Sequence, residues 1–194
     1  MRKLLFIVLT AGALSSLSGC DAARTTPGAA ALAPPNPHAA QPVATREGAT
    51  ELRRISGRLI AVQDGDSFVL RAADGDRLHV RIEGIDAPER GQPYAEVSRR
   101  HLADLLRDAP LELQVRKRDR YDRLIAQVLV GDRDIGQAQL DAGLAWFFRR
   151  YAHEQPPALS KTYARAEERA RNQRKGLWRA RAPEPPWEHR SRHR

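Results

Sequence analysis

The stretch ISGRLIAVQDGDSFVLRAADGDRLHVRIEGI, residues 55–85, restricts the fold most, because three short runs of alternating polarity are separated by Asp-Gly-Asp turns. A period of two puts successive side chains on opposite faces of a strand and has no counterpart on a helix. Strands are predicted at Ile55–Val62, Ser67–Arg71 and Arg77–Glu83, with Asp74-Gly75 as the hairpin turn between the second and third. In the third, Leu78, Val80 and Ile82 share the apolar face. His79, Arg81 and Glu83 fall on the other, and Glu83 is assigned to the surface.

The pattern then changes. Pro93 opens a helical repeat with Tyr94, Val97, His101, Leu102, Leu105 and Leu106 on one stripe. His101 is read as a packed histidine. Leu111–Val115 alternates again, and Arg123–Val130 is nearly continuous apolar, as a strand of a closed barrel would be. A second helix is predicted at Ile135–Ala142, ending at Gly143. The third carries Leu159, Tyr163, Ala166 and Ala170 on one stripe, basic residues in its last turn and Gly176 as a left-handed stop. Five strands with a helix between the third and fourth give an α+β fold: a five-stranded oligonucleotide/oligosaccharide-binding barrel with three helices.

Both ends differ from this central part. Arg2 and Lys3 precede the apolar run Leu4–Leu14, too short for a spanning helix, so residues 1–19 read as a secretory signal. Leu17-Ser18-Gly19-Cys20 resembles a bacterial lipoprotein signal, which makes Cys20 the lipidated first residue of the mature chain and places the protein in the cell envelope on a membrane anchor. Residues 20–50, rich in Ala and Pro, form a linker. The folded domain is expected over 51–180. A basic, proline-rich tail, 181–194, is expected to pack Trp187 on the domain and then fray. Net charge is +9, most of it beyond residue 50, which favours a polyanionic partner.

Chemistry-bearing residues gather in and around RIEGIDAPERGQPY, residues 81–94. Asp66, Asp86 and Glu89 supply hard oxygens suited to a cation such as Ca²⁺, and a carboxylate beside a bound water can take its proton. Arg81 and Arg123 supply bidentate clamps for phosphate. Each also has a plain reading alone: turn closure for Asp66, loop acids for Asp86 and Glu89, a solvated strand face for Arg81, and a structural pair with Asp119 or Asp122 for Arg123.

In order, VQDGDSFVL, VRIEGIDAPERGQPY, RDRYDRLIAQV, GLAWFF and AEERARNQRKGLW resemble the staphylococcal nuclease-like (thermonuclease) family from about Ile55 to Trp187. The resemblance implies Ca²⁺ at Asp66, Asp86 and the backbone carbonyl of Ala87. It implies Glu89 as general base, Arg81 and Arg123 on the reacting phosphate, and Tyr121 and Tyr151 against the bound nucleotide. The expected activity is calcium-dependent hydrolysis of DNA, RNA or both by a monomer, leaving 3′-phosphates. Asp122 stands where family members carry glycine, and Arg149 where the best-known member has a nucleotide-contacting tyrosine. A charge at 122 beside Arg123 opposes an incoming phosphate unless it points away, so the alternative is a catalytically weak nucleic-acid-binding module on the same barrel.

Overall fold

The computed structural model describes residues 52–193. The signal segment, Cys20 and the linker lie outside the described residues. Strands β1 (Arg53–Val62), β2 (Ser67–Ala72) and β3 (Arg77–Ile82) form an antiparallel meander. Gly75, at φ 97°, makes the β2–β3 turn that the sequence places there. After the short strand β4 (Ile85–Asp86) and helix α1 (Ala95–Leu106), strands β5 (Leu111–Arg118) and β6 (Leu124–Val130) continue the sheet. The order is β3-β2-β1-β5-β6, and parallel pairing of β3 with β6 closes it into a five-stranded mixed barrel. Register shifts in β1 between Leu59 and Ala61, and in β5 between Val115 and Lys117, supply bends of the kind closure requires. A two-residue strand, β7 (Arg133–Asp134), extends the β6 edge.

Helix α2 (Ile135–Asp141) starts on Asp134, whose side chain accepts from the Gln137 N–H, and α3 (Pro157–Asn172) packs across it. Phe68, Leu70, Leu102, Leu113, Val128 and Tyr163 are fully buried in the shared core. Each such Leu or Phe contributes roughly 1.5–3 kcal/mol. The buried side of α1 is Ser98, Leu102 and Leu106, whereas Val97 is exposed. The apolar stripe read from the sequence is thus rotated, because Ser98 turns inward to donate to the Leu144 carbonyl at 2.8 Å. His101 is half-buried and bonded to Gln139.

Three further features depart from the sequence expectation. Glu83 is 3% exposed rather than on the surface. The strand ends at Ile82, and the turn through Gly84 (φ 72°) carries Glu83 inward, where Arg116 of β5 donates to both carboxylate oxygens at 3.1 and 3.2 Å. α3 stops at Asn172, short of Gly176, because Arg174 already adopts a left-handed backbone. The tail does not fray after Trp187: Pro186–Arg192 forms a helix, α4, with proline in its first turn. Trp187 does pack on the domain, stacked on half-buried Phe148 with ring centroids 5.5 Å apart. Trp146 and Phe147 are buried.

The end of α2 and the end of α3 meet through two glycines. Gly143 has φ 68°, and a Cβ on it would stand 2.4 Å from the Lys175 carbonyl oxygen; the Gly143 carbonyl accepts from the Leu177 N–H at 2.9 Å. Gly143→Ala combines left-handed strain with a clash against backbone, so the expected loss in urea unfolding is roughly 2–4 kcal/mol. An unchanged midpoint would refute this packing.

Candidate active site

The acidic loop is held between the barrel and a short clamp. Strand β4 pairs with β8 (Trp146–Phe147), Ile85 against Phe147 and Asp86 against Trp146. The Phe148 N–H donates to the Gly84 carbonyl at 2.8 Å, and the Phe147 N–H donates to the buried Glu167 carboxylate at 3.0 Å. Asp86 therefore sits on a two-residue strand rather than a free loop.

Arg81 ties the Asp-Gly-Asp turn to that strand. Its Nη1 donates to Asp66 Oδ1 at 2.5 Å, and its Nη2 donates to Asp86 Oδ1 at 2.9 Å and to the Ile85 carbonyl at 3.2 Å. Asp66 also accepts from the Ser67 hydroxyl at 2.7 Å and the Ala87 N–H at 2.9 Å. Both aspartates are at most 2% exposed. Gly65 lets the turn approach: a Cβ there would stand 1.8 Å from Ser98 Oγ and 2.7 Å from Ala87 Cβ.

These contacts divide the carboxylates. Burial opposes ionisation of Asp66, but the Arg81 guanidinium, the Ser67 hydroxyl and the Ala87 N–H outweigh it and hold the carboxyl below its ordinary value. At Asp86 burial prevails over its arginines, with the Asp66 charge adding to it, and the carboxyl is pushed up. Asp64, half-buried beside the Asp66 charge, is pushed up to about 7 by partial loss of solvent and by that charge.

The remaining residues predicted for the site fall into two groups. Glu89 joins the cluster through Arg190 of α4, a residue the sequence reading passed over. Arg190 Nη1 donates to Glu89 Oε1 at 2.5 Å and to Asp86 Oδ1 at 3.2 Å, and its Nη2 donates to Asp86 Oδ2 at 2.7 Å. Gln92, also missed, accepts from the Glu89 N–H at 2.8 Å and donates through Nε2 to the Glu184 carbonyl at 3.1 Å, linking loop and tail. Proline ahead of Trp187 was the one local signal that the tail is helical.

Arg123 directly precedes β6, and the pairing of Val80 with Leu124 brings it to the edge of β3. Its guanidinium is held by Asp119, at 2.8–2.9 Å, the structural pair foreseen as one alternative. Asp122 has φ 61°, the left-handed geometry that glycine adopts freely, and its carboxylate turns to Arg118 at 2.7 Å with 83% of the side chain exposed. Tyr121 is exposed beneath Arg120 and Arg123, and Tyr151 is exposed at an edge-to-face contact with Phe148. Arg149 spends its charge on Glu167 at 2.8 Å.

A barrel of this topology hosts many activities, so the fold alone does not fix one. Residues 79–180 match the family described as staphylococcal nuclease homologue, and the chain belongs to that family. It is 33% identical over 159 residues to a protein named "Probable endonuclease LCL3" from Phaeosphaeria nodorum, covering 71% of this chain and 53% of that one. It is 30% identical over 121 residues to a Haemophilus influenzae protein described as an uncharacterized endonuclease, covering 62% and 65%. A similarly described protein from Escherichia coli O157:H7 is 33% identical over 135 residues, covering 69% of this chain and 83% of its own. The chain thus spans 53% of the fungal relative's length and 65% of the Haemophilus one's.

The Asp64 carboxyl gives a pH test. A carboxyl raised on folding binds more protons in the native state, so its contribution to stability is complete below the ordinary carboxylate value of 3.8 and is lost as pH rises through about 7. Asp64→Asn keeps an oxygen for the Asp66 N–H, which Asp64 Oδ1 accepts at 3.0 Å. In chelator, its unfolding free energy relative to wild type should climb between pH 5 and pH 8 by on the order of a few kcal/mol. A difference that stays flat with pH would contradict the assignment.

Proposed function

We propose that this protein is a calcium-dependent phosphodiesterase that hydrolyses DNA, RNA or both, held in the cell envelope through a lipid on Cys20. The observation that carries the catalytic reading is the convergence of Asp66, Arg81, Asp86 and Glu89 on one buried-to-exposed cluster around a loop fixed by β8. Family membership and relatives described as endonucleases support it.

The donor chemistry suits Ca²⁺, since Asp66 and Asp86 offer hard, buried oxygens. Among the described residues no group of three or more His, Cys, Asp and Glu is arranged to hold a metal ion. Asp66 and Asp86, with the Ala87 carbonyl, are the groups that would hold it. A bound Ca²⁺ supplies positive charge to the phosphate and to a nearby water.

The chain's own residues do the rest. Glu89, more exposed than the two aspartates, takes the proton of the attacking water. Arg81 is fixed by Asp66 and Asp86, so its guanidinium is positioned before substrate arrives and offsets the charge that develops on the phosphate oxygens. Arg123 serves the same charge after exchanging Asp119 for phosphate, and Tyr121 and Tyr151 flank the nucleotide. Cleavage leaves a 3′-phosphate. The reading of a weak binding module rested on Asp122, and that carboxylate is compensated by Arg118.

The test is release of acid-soluble nucleotides from denatured DNA and from RNA by the full chain, with Ca²⁺ or with chelator. Release should require Ca²⁺ and fall about 10²–10⁴-fold in kcat for Glu89→Gln. Asp122→Gly should change kcat/KM by less than about threefold, because the charge it removes is already paired and exposed. Equal release in chelator, or full activity of Glu89→Gln, would overturn the proposal.

A further inference from the structure

The tail helix brings a cation to the place where the proposed function needs one. Asp86, 1% exposed, has Oδ2 bonded to Arg190 and Oδ1 shared between Arg81 and Arg190. The same guanidinium binds Glu89. With Arg190 seated, an oxygen ligand and the base are both committed to one side chain. Arg81, by contrast, leaves Glu89 and Asp86 Oδ2 untouched.

We propose that α4 is a built-in competitor for the cation position: docked, it places Arg190 on Asp86 and Glu89, and Ca²⁺ binding and α4 docking exclude one another. The inference rests on the calcium-dependent reading above and adds its regulation. Geometry makes the device reversible. α4 has seven residues, too few to be stable unsupported. Two further contacts hold it, Trp187 stacked on Phe148 and the Gln92 amide on the Glu184 carbonyl. Arg190 keeps 35% of its side chain exposed, so it reaches water without opening the core. Within the docked tail, Glu184 pairs with Arg192 and lies beside His189. Guanidinium is charged at every physiological pH, so Arg190 competes as a fixed charge, and cation concentration or a polyanion that captures Arg190 shifts the balance.

A docked population lowers the apparent calcium affinity by the fraction still competent. If α4 is docked in about nine molecules of ten, undocking tightens calcium binding roughly tenfold. The test is calorimetric titration of the full chain with CaCl₂, comparing wild type, Arg190→Gln and Trp187→Ala, with circular dichroism to verify folding. Arg190→Gln removes the competing group. Trp187→Ala keeps the charge and removes the stack, which separates docking from simple charge repulsion. Both variants should bind Ca²⁺ roughly tenfold tighter, and the double variant little tighter than either. Equal or weaker affinity in Arg190→Gln overturns the inference while leaving calcium dependence intact. Tightening in Arg190→Gln but not in Trp187→Ala overturns the docking mechanism. No calcium binding by any of the chains removes the inference together with the metal-dependent function.

Discussion

Everything at the site depends on one largely buried guanidinium. Arg81 leaves β3 on its polar side and joins Asp66, in the turn before β2, to Asp86, in the bridge β4. Two buried carboxylates close to one another repel and resist ionisation; a shared arginine keeps the pair affordable and fixes their separation. The burial of Arg81 is tolerated for the same reason, and its affinity for protons rises accordingly. The cost of gathering like charges is thereby met by a residue that also suits phosphate, so structural and chemical requirements coincide in one side chain.

Around this centre the fold supplies rigidity from both sides. β2 and β3 present Asp66 and Arg81 through antiparallel register, Ser67 opposite Arg81. The β8 segment, fastened by Glu167 of α3, holds β4 from outside the barrel. Trp146 faces Trp178 edge-on at 5.5 Å, and Trp187 packs on the same small cluster. The tail is therefore continuous with the support of the acidic loop, which explains how a few residues near the chain's end reach a site built from its first three strands.

Much of this was legible in the sequence, for identifiable reasons. Strands with a period of two, Asp-Gly turns and the apolar run before Val130 are local signals, and each appears as read. Gly143 is left-handed, as its place at a helix end foretold. Asp66, Arg81, Asp86 and Glu89 lie together because the motif is short and the turns stiff. What escaped is set by partners distant in sequence. Glu83 is buried only because Arg116, 33 positions away, meets it. Arg190 is 104 positions from Asp86. No periodicity encodes such pairs, and a basic, proline-rich composition hid α4. Ser98 took an inward place on α1 that apolar counting assigned elsewhere, since a hydroxyl bonded to a carbonyl is at home in a core.

The proposed activity needs Asp66 and Asp86 to form a cation site beside the reacting phosphate. A crystal structure of the full chain with CaCl₂ and a short non-hydrolysable oligonucleotide tests it most directly. Calcium is expected on Asp66 and Asp86, with phosphate oxygens on Arg81 and on an Arg123 released from Asp119, and Arg190 away from Glu89. Phosphate bound elsewhere on the barrel, or Asp66 and Asp86 still bridged only by arginine at saturating calcium, would contradict it.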